Sequence, residues 1–118
     1  MDKNCKIFLI PAEKKDLLKN QKINLFVNMF SFQEMPLSET HQYIEVAKSN
    51  SSYLYSLNRE EKIMTDGDKI NYYHYGLNDK GKIIFEQEAK FVKKYYNLKF
   101  PFIHKKRGKV ISSLTLFT

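Results

Sequence analysis

Between Ile23 and Pro36 the chain passes through the apolar run Leu25-Phe26-Val27, turns polar at Ser31, Gln33 and Glu34, and stops at Pro36. No other stretch restricts the fold so strongly. An apolar run with aromatic neighbours and little alternation is the pattern of a strand buried on both faces, as in a parallel sheet. Pro36 disfavours a helical conformation at Met35, so the strand is followed by a short polar connection and not directly by a helix. In open α/β sheets ligands bind outside the carboxyl ends of the strands. Ser31, Gln33 and Glu34 are therefore the first candidate site residues.

The segments around this strand extend the pattern. Cys5 to Ile10 is a short apolar run ended by Pro11 and reads as a strand. Ala12 to Asn20 is polar, anchored only by Leu17 and Leu18, and predicts at most two helical turns. After Pro36, Ser38 is a suitable N-cap with Glu39 in the first turn, where a carboxylate suits the helix dipole. Tyr43, Ile44, Val46 and Ala47 then give an amphipathic helix, ended by Ser49-Asn50-Ser51-Ser52. Tyr53 to Leu57 predicts a second strand that runs directly into Asn58-Arg59. Strand, helix and strand in this order form a βαβ unit with a right-handed crossover and parallel strands. Both polar exits, Ser31–Glu34 and Asn58-Arg59, should then lie on one rim of the sheet.

Farther along the pattern weakens. Asp66-Gly67-Asp68 and Asn78-Asp79-Lys80-Gly81 are turn chemistry. Asn71 to Gly76, with Tyr72, Tyr73 and Tyr75, reads as a short strand or a mobile loop. Ile83, Ile84 and Phe85 suggest a strand through Glu86 followed by a helical turn or two, although Phe85, Ala89, Val92 and Tyr96 also share one helix face. Phe100 to His104, a Lys105-Lys106-Arg107-Gly108 turn, and Val110 to Phe117 read as a β-hairpin.

Composition sets the outer bounds. A chain of 118 residues with 42% hydrophobic side chains and three prolines is a folded, single domain spanning residues 1–118. The one cysteine, Cys5, has no partner in the chain, so disulfides take no part in folding. No apolar run approaches the ~20 residues that span a bilayer, and the N-terminus lacks a signal-peptide pattern. A cytoplasmic protein without a membrane partner is expected. The formal charge of +7 favours anionic partners. Of the 20 basic side chains only Arg59 and Arg107 are arginines, and the lysines are dispersed. That distribution is the solvated surface of a soluble chain, not the clustered footprint of a nucleic-acid binder. His41, His74 and His104 have no metal-ligand spacing.

The phrases Phe30-Ser31-Phe32-Gln33-Glu34-Met35-Pro36 and Tyr55-Ser56-Leu57-Asn58-Arg59 together resemble the sugar O-methyltransferase family, proteins similar to class I S-adenosylmethionine-dependent methyltransferases. The resemblance covers residues 7–59 and, beyond them, only the order of elements. It implies an α/β, partial Rossmann-like methyltransferase sheet: a βαβ unit followed by a C-terminal antiparallel hairpin, whose last strand inserts antiparallel. It further implies S-adenosylmethionine as cofactor and a sugar or glycan hydroxyl as methyl acceptor. Such enzymes hold the cofactor on a glycine-rich turn after the first strand. The four glycines here, at 67, 76, 81 and 108, follow no N-terminal strand. The chain thus matches the C-terminal half of that fold, inactive without a cofactor-binding half supplied by a separate chain or a homo-oligomer. The helix expected between the fifth and sixth strands is missing from residues 60–81.

Within the resemblance Glu34 is the candidate catalytic base or substrate acceptor, with local backbone capping as its plain alternative. Ser31 and Gln33 are candidates to hold sugar hydroxyls. Asn58 and Arg59 are candidates for a phosphate or nucleotide on an activated sugar, since the guanidinium fork matches such anions; an ion pair with Glu60 or Glu61 is the plain alternative. A second, non-enzymatic expectation is a basic module binding nucleic acid or another anionic partner. The two differ in one respect: a half-sheet exposes an apolar flank, whereas a self-contained basic module does not.

Overall fold

The structure is a computed structural model describing residues 9–90 and 109–118, and the backbone of residues 96–99 and 103–106. The expected strand from Cys5 falls mostly outside the described residues; Leu9 and Ile10 have no regular structure. Ala12–Leu18 forms a 3-10 helix. Strand β1 spans Leu25–Met29, helix α1 Leu37–Ser49 and strand β2 Tyr53–Arg59. A hairpin of β3, Glu61–Ile63, and β4, Lys69–Asn71, follows. After it come a 3-10 turn, Tyr72–Tyr75, a single helical turn α2, Leu77–Lys80, and strand β5, Lys82–Glu88. β6, Tyr96–Lys99, pairs with β7, Ile103–Lys106, and β8 is Val110–Leu116.

The molecule is mixed α/β, with a four-stranded mixed sheet in the order β1-β2-β8-β5. β1 and β2 are parallel, Leu25 opposite Tyr53 and Met29 opposite Leu57, as the βαβ reading requires. β8, last in the chain, lies antiparallel between β2 and β5. The expected hairpin from Phe100 is therefore re-paired: β7 joins β6, and β8 joins the main sheet. Lys105 and Lys106 belong to β7 and not to a turn, while 107 and 108 lie outside the described residues. The helical alternative for 85–96 also fails at both ends, because Phe85 is in β5 and Tyr96 in β6.

Two local expectations are corrected. The helix begins one residue before Ser38, with Pro36 at the cap position and no side-chain cap. The Pro36 carbonyl instead accepts from the amides of Glu39 and Thr40, at 3.0 and 3.1 Å, and proline's fixed φ suits the start of a helix. The Tyr72–Tyr75 segment is neither strand nor loop but a 3-10 turn. The Asn71 side chain caps it by accepting from Tyr73 N at 2.9 Å, and Gly76 ends it in the left-handed conformation, φ +66°. That conformation strains residues with a Cβ.

The main cluster of described core residues lies on one side of the sheet, while Leu57 and Ser112 are buried on the other. Register partners share a face, so Phe26, Leu54, Ile111 and Ile83 point together. They pack under Ile44 and Ala47 of α1, Ile70 of β4, Phe32, Tyr72, Tyr75, Leu77 and Phe117. The opposite face of β1 is bare: Leu25, Val27 and Met29 are 52%, 59% and 56% exposed. The expectation that β1 is buried on both faces is thus corrected. Its unbroken apolar sequence supplies a core stripe on one side and an uncovered stripe on the other.

Candidate functional site

The polar exits of β1 and β2 meet on one rim. Pairing continues past the strand through Phe30 N, which donates to the Leu57 carbonyl at 2.7 Å. Phe30 adopts φ +59°, a strained conformation for an aromatic residue of the kind that clusters at functional sites. This reversal turns the chain into the 3-10 helix Phe32–Glu34. Phe32 is buried and meets the Tyr75 ring edge-on, 5.7 Å between centroids, while Thr40 Oγ1 donates to its carbonyl at 3.3 Å. The anchor leaves Ser31 and Glu34 exposed and Gln33 buried.

Gln33 joins the two exits. Its Oε1 accepts from the main-chain amide of Arg59 at 2.7 Å, and its Nε2 donates to Glu34 Oε1 at 3.1 Å. Beneath it Asn28 Oδ1 accepts from Asn58 Nδ2 at 2.8 Å and from Phe32 N at 3.4 Å, and Asn28 Nδ2 donates to Ser31 Oγ. Asn58 Nδ2 also donates to Ser56 Oγ at 2.8 Å. Asn58 is fully buried, and its Oδ1 has no hydrogen-bond partner among the described residues.

Electrostatics complete the rim. Lys62 of β3 forms an ion pair with Glu34. The hydrogen bond from its ammonium, then that from Gln33, hold the Glu34 carboxyl below the usual range against the opposing effect of burial, with the nearby Lys62 and Arg59 charges adding to the lowering. Glu34 is thus an ionised hydrogen-bond acceptor at neutral pH, and its lowered affinity for protons makes it a weak base.

All five residues singled out from the sequence lie at this rim, in two kinds of position. Ser31, Glu34 and the half-buried Arg59 have surface to offer; Gln33 and Asn58 are buried and hold the two exits in register. Sequence reasoning missed Asn28, Ser56 and Lys62. Asn28 carried a legible signal, a polar residue inside an apolar strand just before a polar exit. Lys62 carried none, because it arrives through the β3–β4 hairpin.

The tyrosines divide similarly. Tyr72 and Tyr75 are core residues and Tyr73 is exposed. Tyr72 Oη donates to Ser113 Oγ at 2.6 Å, and burial pushes its phenol up to about 12. A cleft of about 130 Å³ opens beside it between α2 and β5, lined partly by Asp79, Ile83 and Glu86. His41 bonds the His74 carbonyl through Nε2 at 3.0 Å. Among the described residues no group of His, Cys, Asp or Glu can hold a metal ion, and no helix is long and apolar enough to cross a membrane.

The described glycines do not form a cofactor cradle. Gly67 sits in the β3–β4 turn, Gly76 ahead of α2 and Gly81 ahead of β5; none follows β1 or β2. No protein-family model, curated protein or solved structure matches this chain.

Proposed function

We propose that this chain is the acceptor-binding, C-terminal half of a Rossmann-like sugar O-methyltransferase, inactive until a cofactor-binding half joins it. The single observation that carries the reading is the strand order: two parallel strands joined by α1, then the final strand inserted antiparallel between β2 and β5. Antiparallel insertion of the last strand is the one part of the sheet's end that agrees with the resemblance, the hairpin partner being β5 and not residues 100–106. The bare apolar stripe of β1 also favours a half-sheet over a self-contained basic module. Arg59 presents its guanidinium to the phosphate of an activated sugar, and Ser31 and Glu34 accept hydrogen bonds from sugar hydroxyls. Gln33 and Asn58 keep these groups in place. The cofactor would be held by the other half, and Glu34's depressed basicity leaves this chain the role of positioning the acceptor.

Two titrations test this. Adding a nucleotide diphosphate sugar such as UDP-glucose to ¹⁵N-labelled protein should shift the amides of residues 31–34 and 58–59, and Arg59→Ala should weaken the effect at least tenfold. Shifts elsewhere, or none up to millimolar sugar, overturn the site. Calorimetry with S-adenosylhomocysteine on the isolated chain should give no binding; micromolar affinity would overturn the half-domain reading.

A further inference from the structure

The cleft between α2 and β5, at the edge of the sheet farthest from β1, has a lining that the rim does not use. Its volume is about 130 Å³. A cavity of about 150 Å³ takes benzene, so the cleft has room for roughly six non-hydrogen atoms. Tyr72 and Tyr73 line it with their rings 5.4 Å apart and set at 83° to each other. Leu77 and Ile83 supply aliphatic surface, and two carboxylates come from separate elements, Asp79 from α2 and Glu86 from β5. Glu86 stands close enough to the Tyr72 hydroxyl that its charge helps to raise that phenol.

In a chain of net charge +7, none of the described residues lining this cleft is a base. The nearest bases in sequence are directed elsewhere. Lys80 of α2 is bound to Glu45 of α1 at 2.8 Å. Lys82 precedes Ile83 in β5, and alternation puts it on the other face of the strand. Among the described residues neither Asp79 nor Glu86 has an ion-pair partner. Aromatic faces attract organic cations, and two carboxylates call for two positive charges. A neutral polyol would leave both carboxylates uncompensated.

We infer that this cleft binds a short aliphatic diamine as its dication. The carbon chain lies against Leu77, Ile83 and the tyrosine rings, and the two ammonium groups donate to Asp79 and Glu86. A four-carbon diamine, with six non-hydrogen atoms, matches the volume of about 130 Å³. This inference is independent of methyl transfer and holds for any activity of the rim.

The test titrates the full ¹⁵N-labelled chain at low salt with diaminobutane, butylamine and butanediol, which share the four-carbon chain and differ in charge. The diamine should shift the amides of residues 72–79 and 83–86 and bind at least tenfold tighter than butylamine, while butanediol should leave them unmoved. Asp79→Asn and Glu86→Gln should each weaken the diamine at least threefold with amide dispersion unchanged, because both side chains are exposed. Tyr73→Leu, at a position 54% exposed, should weaken it as well although the replacement is apolar. Butylamine or butanediol binding as tightly as the diamine overturns the proposal. So do the same shifts from magnesium chloride at equal concentration, shifts centred elsewhere, or none up to tens of millimolar diamine.

Discussion

Gln33 and Arg59, 26 positions apart, are joined by a 2.7 Å hydrogen bond from the Arg59 amide to the Gln33 side-chain oxygen. The bond is a clamp between the exits of two parallel strands, made by a side chain that is 2% exposed. Replacing it by alanine leaves the amide without its acceptor and removes buried contacts. Gln33→Ala should cost about 1–3 kcal/mol in urea unfolding, with amide shifts concentrated at 31–34 and 58–60. A cost below a few tenths of a kcal/mol would mean that water replaces the clamp freely.

The Glu34–Lys62 pair makes a prediction about protons. The folded-state affinity of Glu34 for protons is lowered mainly by the Lys62 hydrogen bond. Its contribution is therefore present above the unfolded glutamate value of about 4.3 and is lost as pH falls through the lower folded value. Lys62→Ala should move the Glu34 carboxyl, followed by its ¹³C resonance, back up toward that ordinary value. An unchanged midpoint would show that Gln33 and Arg59 suffice.

Tyr72 gives the opposite sign at the alkaline end. Burial, opposed by the Ser113 hydrogen bond, raises its phenol to about 12, so the folded state favours the neutral form. The associated stability is complete below about pH 10 and is lost as pH rises toward and through about 12. Tyr72→Phe should flatten the fall in thermal midpoint between pH 10 and 12, although at neutral pH it removes the bond to Ser113. If the variant shows the same alkaline fall, Tyr75, also raised by burial, governs it.

Gly81 enters β5 under the end of β8. A Cβ there would lie 2.7 Å from the Leu116 carbonyl oxygen and 2.8 Å from Phe117 and Thr115 side-chain carbons. Because the nearest obstacle is backbone, a neighbouring rotamer change cannot relieve it. Gly81→Ala should destabilise by about 1–3 kcal/mol, whereas Gly81→Ala with wild-type stability would imply that β5 shifts along β8.

The βαβ unit and its rim were legible because one short segment held every signal: an apolar run, a polar exit, a proline, an amphipathic helix and a second run. The pairing of β8 was not, because nothing local in Val110 to Leu116 chooses between its neighbour in sequence and the more distant strands β2 and β5. The β7 segment is close in sequence, yet β8 pairs with β2 and β5. Long-range register depends on what the finished sheet buries. Asn28 could have been read as a site residue from its place in the strand; Lys62 could not. The one-sided burial of β1 was also hidden, since Leu25-Phe26-Val27 reads the same whether one face is covered or two.

The placement of β8 has a consequence for how the protein is made. A ribosome delivers β1, α1, β2 and β5 well before residues 110–116, yet β5 touches the rest of the sheet only through that last strand. During synthesis β2 and β5 are made before the strand that bridges them. Closure of the sheet is thus a late event of high contact order.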